Sequence, residues 1–315
     1  MKLEDRLLAA LLLSEGCASL SRLSGELGAP EAALAGAARS LAARGYPLEV
    51  EQGLLKLHPA DDLGAAGSRA ARLGTSLRFS VHYLGRCGST MDVARELAER
   101  GVAEGAVVVA EEQEAGRGRL RRRWYSAAGG LYATVVLKPP PWALRVLSLA
   151  ASVAVARVTE LLGLDARVKW PNDVQVAGRK VCGILVEAAA EPGEAAYALV
   201  GIGLNVNNAL PEELAGTATT LRELLGKSVP RLPLLLKLLE ELDDIYARVR
   251  EGRWGEVLSE WKSRSSTLGR FVRVETPEGA FTGVAVNVSE DGALLVRLED
   301  GKFREFYAGD VIHLR

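Results

Sequence analysis

With 315 residues, 39 basic against 40 acidic side chains and 48% apolar residues, the chain has material for two or three packed domains. The near-neutral balance argues against a protein whose main work is coating nucleic acid. Cys17, Cys87 and Cys182 are far apart, and His58, His82 and His313 lack ligand spacing. This pattern argues against structural zinc, a histidine metal site and a Ser-His-Asp triad, and it fits a reducing cytosol. LLAALLLSEG follows Glu4 and Asp5 and ends at no cleavage site, so no secretory signal is expected. The most apolar stretch, VLSLAASVAVARVTELLG, carries Arg157 and Glu160 at helical spacing and reads as a buried helix rather than a membrane span. A cytoplasmic protein is expected.

In chain order, residues 1–60 predict three short helices and a hairpin, the outline of a winged helix-turn-helix. LEDRLLAALLLSEG, LSRLSGELG and PEAALAGAARSLAARG each end at glycine. YPLEVEQGLLKLHP alternates like a two-stranded wing. Residues 61–76, small and polar, read as a linker. From 77 to 266 strands and helices alternate: RFSVHYL, the helix MDVARELAERG, the strand AVVVAEE, YATVVLK, a helix over Leu144–Leu162, then ARVKW, NDVQVAG, KVCGILVEAAA and YALVGIGLNVN. Further helices follow, including LPLLLKLLEELDDIYARV. Short turns between consecutive strands, and no GxGxxG, predict an α+β domain with a mixed sheet rather than a Rossmann repeat. Residues 267–315 predict a small five-strand barrel with hairpin turns at TPEGA, SEDGA and LEDGK.

Residues 111–124, EEQEAGRGRLRRRW, are the most informative stretch. The segment follows a strand and precedes another, where sites tend to lie in domains of this kind. Arg117, Arg119, Arg121, Arg122 and Arg123 can fork onto carboxylate or phosphate oxygens. Its glycines allow close backbone approach, and Trp124 offers a flat ring to a heterocycle. Taken alone, a solvated basic loop explains it equally well. KWPND presents Lys169, Asn172 and Asp173 after Pro171, which suits a phosphate and its Mg²⁺, or an ordinary turn with a salt bridge. GRKVCGILVE sets Lys180 at the head of a strand, toward the same cleft or out on a surface turn. In GIGLNVN, Asn205 and Asn207 would share one side of a strand, to read an adenine edge or to bond a neighbouring loop. In GRCGSTMD, Ser89 and Thr90 precede a helix, as caps or as ligands for a polar head group.

With these five segments in this order, essentially the whole chain resembles the biotin protein ligases of the longer type, which carry an N-terminal winged helix. GRGRLRRRW is similar to the family's GRGRxGRxW loop, and KWPND matches as it stands. The resemblance implies a class II synthetase-like catalytic core and an SH3-like barrel at the C-terminus. It implies that Ser89, Thr90 and Met91 hold the biotin ring, and that Gln113, Arg117, Gly118 and Arg119 lie along biotin and its activated carboxyl, with Gly183 nearby. Trp124 would pack against adenine, and Lys180 would contact the carboxylate and the attacked phosphate. Lys169, Asn172 and Asp173 would sit by the triphosphate and Mg²⁺, with Asp173 the metal ligand, and Asn205 and Asn207 by the adenosine. Two departures stand out: Met91 replaces the pattern's asparagine, and Arg121 replaces a glycine, making the loop stiffer and more basic.

The implied reaction joins biotin and ATP into biotinyl-AMP, then passes biotin to a lysine of a biotin carboxyl carrier domain. Two unit charges about 4 Å apart repel by roughly 4 kcal/mol at an effective dielectric near 20, so bringing a carboxylate to ATP calls for several cations. No histidine falls in a motif to act as base for the second step. A lipoate ligase, and a sensor that binds biotinyl-AMP without transferring it, are the rivals. An edge strand of the sheet can pair across a homodimer or with the acceptor. Operator binding is the weaker expectation for the first module: residues 1–63 hold nine acids against six bases, and the recognition segment has no basic residue before Arg39.

Overall fold

The computed structural model describes residues 1–14, 16–58, 61–189 and 197–314. The first 57 residues form α1 (Leu3–Leu12), β1 (Cys17–Ser19), α2 (Leu20–Leu27), α3 (Glu31–Ala43), β2 (Leu48–Glu51) and β3 (Leu54–Leu57), with an antiparallel sheet ordered β1-β3-β2. Ser19 Oγ accepts from Arg22 N at the start of α2, and Gly28 ends it at φ +59°, a conformation that glycine adopts without a Cβ penalty. Leucines 7, 8, 11, 12, 23, 34, 41 and 55 are buried and join the core that continues into the central sheet's helices. Pro59, the last residue of the expected wing, and Ala60, the last of the expected first module, lie outside the described residues.

The segment 61–76, expected as a linker, is folded. Asp62 caps a turn at Leu63–Ala65, and α4 (Ala66–Ala70) follows. Leu63, Ala66, Ala70 and Leu73 are buried, at the three- and four-residue spacing of one helical face. Asp61 is gripped by the buried Arg231, whose Nε lies 2.7 Å from Asp61 Oδ1.

The central sheet runs β4-β5-β6-β10-β9-β8-β7, from β4 (Ser80–Cys87), β5 (Ala106–Gln113), β6 (Leu131–Leu137), β7 (Ala166–Lys169), β8 (Asp173–Val176), β9 (Arg179–Ala189) and β10 (Tyr197–Leu204). Only β4 and β5 pair in parallel, so the sheet is mixed. The expected strand over 180–190 is present to Ala189; Ala190 lies outside the described residues. Helix α5 (Thr90–Glu99) covers one face through Met91 and Ala94, with Val108, Val136 and Leu199. On the other lie α6 (Leu147–Leu161), almost wholly buried, α8 (Arg231–Arg250) and α9 (Trp254–Arg264); α7 (Leu221–Leu225) follows β10.

The chain ends in a five-stranded antiparallel sheet ordered β14-β13-β12-β11-β15, built from β11 (Phe271–Thr276), β12 (Gly279–Val288), β13 (Leu294–Leu298), β14 (Phe303–Phe306) and β15 (Asp310–His313). Two indoles pin it to the rest: Trp170 Nε1 donates to Gly292 O (3.1 Å) and Trp254 Nε1 to Glu290 O (2.7 Å). This docking brings the first residues of β15 to the mouth of the site. No helix among the described residues is long and apolar enough to cross a membrane.

Candidate active site

A cavity of about 540 Å³ opens where the arginine loop, the ends of β7–β10 and the start of β15 converge. Ser89, Thr90, Met91, Gln113, Arg117, Gly118, Arg119, Trp124, Lys169, Asn172, Asp173, Lys180, Gly183 and Asn205 line it. Five separate sequence segments are thereby brought to one place.

The start of α5 forms one wall. Ser89 Oγ accepts from Met91 N (3.3 Å), so the capping expectation holds while the residue also borders the cavity. Thr90 donates from N and Oγ1 to Gln113 Oε1 (2.8 and 3.1 Å), and Gln113 Nε2 donates to Ser126 Oγ (2.8 Å). Both side chains are therefore fixed before any ligand arrives. The floor is glycine. A Cβ at Gly201 would meet Met91 Sδ at 2.6 Å, and one at Gly203 would meet Trp124 Nε1 at 2.4 Å. Only hydrogen at these positions lets Met91 and Trp124 lie against the sheet.

Lys180 reaches the cavity because β9 is bulged. Asp173 pairs with Gly183 and Val174 with Cys182, but Gln175 pairs with Lys180, leaving Val181 as the extra residue. The bulge moves Lys180 onto the face of Asp173 and Gly183; strict alternation would point it away. Its Nζ lies 2.6 Å from Asp173 Oδ1 and 5.1 Å from the centre of the Trp124 ring. Asp173 pairs directly with Lys180 and reaches Lys169 only through space. Burial pulls the Lys169 pKa below the ordinary lysine value; Asp173 and Asp310 oppose it and Lys180 adds to it. Burial likewise lowers Arg119, although Asp310 and Asp173 oppose it.

Arg117 Nη1 sits 2.7 Å from Asp92 Oδ1, and Arg119 Nη1 donates to Gly309 O (3.1 Å) and toward Asn172 Oδ1 (3.5 Å). Asn172 Nδ2 donates to Ile184 O (2.8 Å), which orients its amide. Asn205 is buried, donating to Thr219 O (3.2 Å) and accepting from Asn208 Nδ2 (3.3 Å).

The expectation for Asn207 fails. Strand β10 ends at Leu204, so Asn205 and Asn207 do not share a strand face. Asn207 is spent on Val229, donating to its O and accepting from its N, both at 2.8 Å, and it does not line the cavity. Of the two readings open for that amide, bonding a neighbouring loop is the one realised. Sequence reasoning also missed Asp310 and the 214–218 loop, which reaches the wall through Leu214, Gly216, Thr217 and Ala218. Lys180 N donates to Thr217 O (2.8 Å) and Thr219 N to Lys180 O (2.9 Å), so this loop anchors the lysine backbone. Among the described residues, no three His, Cys, Asp or Glu side chains are placed to hold a metal by themselves. His313 of β15 feels the charge of Lys169; burial first, then that cation, drop its pKa to about 4.

Chemically, the cavity presents several cations, an aromatic plate and a partly apolar floor, a combination suited to an anionic ligand with a flat ring. Comparison with known proteins agrees. Residues 84–205 match the biotin/lipoate A/B protein ligase family, and residues 267–314 match the biotin protein ligase C-terminal domain. The chain is 34% identical over 230 residues to the bifunctional ligase/repressor BirA of Bacillus subtilis, covering 71% of this chain and 70% of that protein. It is 36% identical over 247 residues to the biotin–[acetyl-CoA-carboxylase] ligase of Mycobacterium tuberculosis, covering 75% of this chain and 89% of that one. The structure of the biotin protein ligase from Aquifex aeolicus in complex with biotin and ATP superposes with a TM-score of 0.63 at 34% identity, covering 75% of this chain and 98% of that one. The chain belongs to the biotin protein ligase family.

Proposed function

We propose that the chain activates biotin with ATP to biotinyl-5'-AMP and transfers biotin to a lysine of a carboxylase carrier domain. The observation that carries this reading is the convergence of Arg117, Arg119, Lys169 and Lys180 around a cavity whose floor is glycine and whose plate is Trp124. Biotin's ring takes the wall made by Ser89, Thr90 and Met91, with its carboxylate toward Lys180 and Arg119. ATP takes the side of Lys169, Asn172 and Asp173, with the adenine by Trp124 and Asn205. The carboxylate attacks the α-phosphorus, the bond to the β-phosphate bridging oxygen breaks, and pyrophosphate leaves. Lys180, Arg119 and Lys169 offset the charge that gathers, as preorganised cations do in phosphoryl transfer.

Asp173 and Asn172 line the cavity with hard oxygens that would hold Mg²⁺, which would neutralise phosphate charge there. In the second step the acceptor amine attacks the acyl carbon and AMP departs. We read residues 1–60 as a winged helix, 61–76 as its folded connection, 77–266 as the catalytic domain and 267–315 as an SH3-like barrel, in a cytoplasmic protein. The edges of the central sheet are β4 and β7, so a homodimer or an acceptor that adds strands would do so there. We assign the first module a structural role: Arg44, at the end of α3, is committed to Glu240 (2.9 Å), and Glu31 occupies the first turn of that helix. A gel shift at a discrete genomic site with steep salt dependence would contradict that assignment.

The test of the main proposal mixes the protein with MgATP, a biotin carboxyl carrier domain, and biotin or lipoate in parallel. Biotin-dependent pyrophosphate release with one biotinyl mass on the carrier is expected. Turnover with lipoate alone would refute the proposal, and pyrophosphate without transfer would favour a sensor of biotinyl-AMP.

A further inference from the structure

The arginine loop is held by more than its own chain. Gly118 N donates to Arg122 O (2.8 Å) and Trp124 N to Gly116 O (2.8 Å), which draws the loop into a small hairpin. At its tip Leu120 (φ +54°) and Arg121 (φ +58°) are both left-handed, a conformation that costs a residue bearing a Cβ. Leu120 is 63% exposed and buries nothing in return. Something outside the loop must therefore hold this shape.

Arg117 is tied at the base of the loop to Asp92 (2.7 Å), and nearer the tip two outside contacts come from the turn that leads into β15. Arg119 Nη1 donates to Gly309 O (3.1 Å), and the Arg122 guanidinium pairs with the Asp310 carboxylate. The anchor is itself well fixed. Gly309 has φ +151°, and a Cβ there would lie 3.0 Å from Glu275 O; Asp310 opens β15 in register with Glu275. The Asp310 side chain is 20% exposed, against 66% for Arg122, so the carboxylate is the better-packed partner.

We infer that Asp310, with the Gly309 carbonyl, is a positioning latch through which the C-terminal sheet holds the arginine loop over the cavity. Asp310 acts through Arg122 and Arg119; it takes no part in bond making. With the latch released, the loop would have to be ordered at the expense of ligand binding, and both substrates would bind more weakly. This inference rests on the biotin–ATP reading only for the substrates named.

The full-length chain tests it by limited trypsinolysis, since Arg119, Arg121, Arg122 and Arg123 are cleavage sites that the latch should shield. Asp310→Asn and Arg122→Gln are each expected to speed cleavage within 119–123 about tenfold and to raise KM for biotin and ATP about fivefold, with kcat changed less. The exchange Arg122→Asp with Asp310→Arg should recover much of both. Arg122→Gln leaves the β15 anchor intact, so it decides the matter if Asp310→Asn also opens sites in the C-terminal sheet such as Arg273 or Arg297. A loop as resistant in Arg122→Gln as in the unmodified chain overturns the inference, as does faster cleavage with neither KM moved. Failure of the function reading would look different: an unmodified chain with a protected loop and no biotin-dependent pyrophosphate.

Discussion

The ligand cavity and the seam around α8 are both dense in charge, and they use it in opposite ways. The cavity is lined by six cations and only two carboxylates, Asp173 and Asp310. In the seam Arg44, Arg157, Lys237, Arg248 and Arg264 are answered by Asp5, Glu160, Glu240, Glu241, Asp244 and Glu260. Two lysines, Lys237 buried and Lys169 half-buried, make the contrast concrete. Burial alone would lower Lys237, but Glu241 and Asp5 more than offset it and its pKa is raised. Lys169 is lowered: its burial outweighs the opposing pull of Asp173 and Asp310, and Lys180 adds to the fall. The seam matches its cations with carboxylates, whereas the cavity lining keeps an excess of positive charge for an anion.

The largest effect that could break this contrast is at Lys180. Lys180→Ala should cut biotin-dependent pyrophosphate release by about 10²–10³-fold while the melting temperature moves little, since one preorganised charge is worth that much in a transition state. A loss below tenfold would place Lys180 among the structural pairs. In the seam, Lys237→Met should do the reverse. It strands Asp5, leaves Glu241 to Arg157 alone and should cost about 3 kcal/mol in urea unfolding, with kcat/KM of the folded protein unchanged.

Next comes the floor. Gly203→Ala puts a methyl where the Trp124 indole lies and should cost about 1–3 kcal/mol, read as weaker biotin and ATP binding by titration calorimetry. Unchanged affinity would mean that Trp124 does not define the cavity.

Smaller effects follow from titration. Lys169 binds phosphate in its charged form, so KM for ATP should climb as pH rises through its lowered pKa, sooner than for an ordinary lysine. Lys169→Arg, always charged, should flatten that limb. His313, at about 4 when folded against an unfolded value of 6.5, contributes stability that is complete above 6.5 and lost as pH falls toward 4. His313→Gln should reduce the fall in urea midpoint across that window; an identical slope would assign it to other groups.

How much of this was legible in the residues depends on range. The arginine loop, KWPND and the Ser89–Thr90 helix start are local signals, and most helices and strands follow from hydrophobic periodicity. The face of Lys180 was not legible, because it depends on a bulge that leaves Val181 unpaired. Asn207 was misjudged because nothing in GIGLNVN marks the strand's end at Leu204. Asp310 lies nearly two hundred residues from the loop it holds, across a domain docking that no local pattern encodes. The folded connection was legible but overlooked: Leu63, Ala66, Ala70 and Leu73 trace a helical stripe among glycines and serines that read as a linker.

The most direct test of the central claim needs no acceptor. The protein would be mixed with biotin and MgATP and sprayed under native conditions, with pyrophosphate assayed in the same sample. The cation-rich cavity predicts one retained biotinyl-AMP per chain and a matching burst of pyrophosphate. Biotin and ATP bound side by side and unreacted, with no burst, would contradict it.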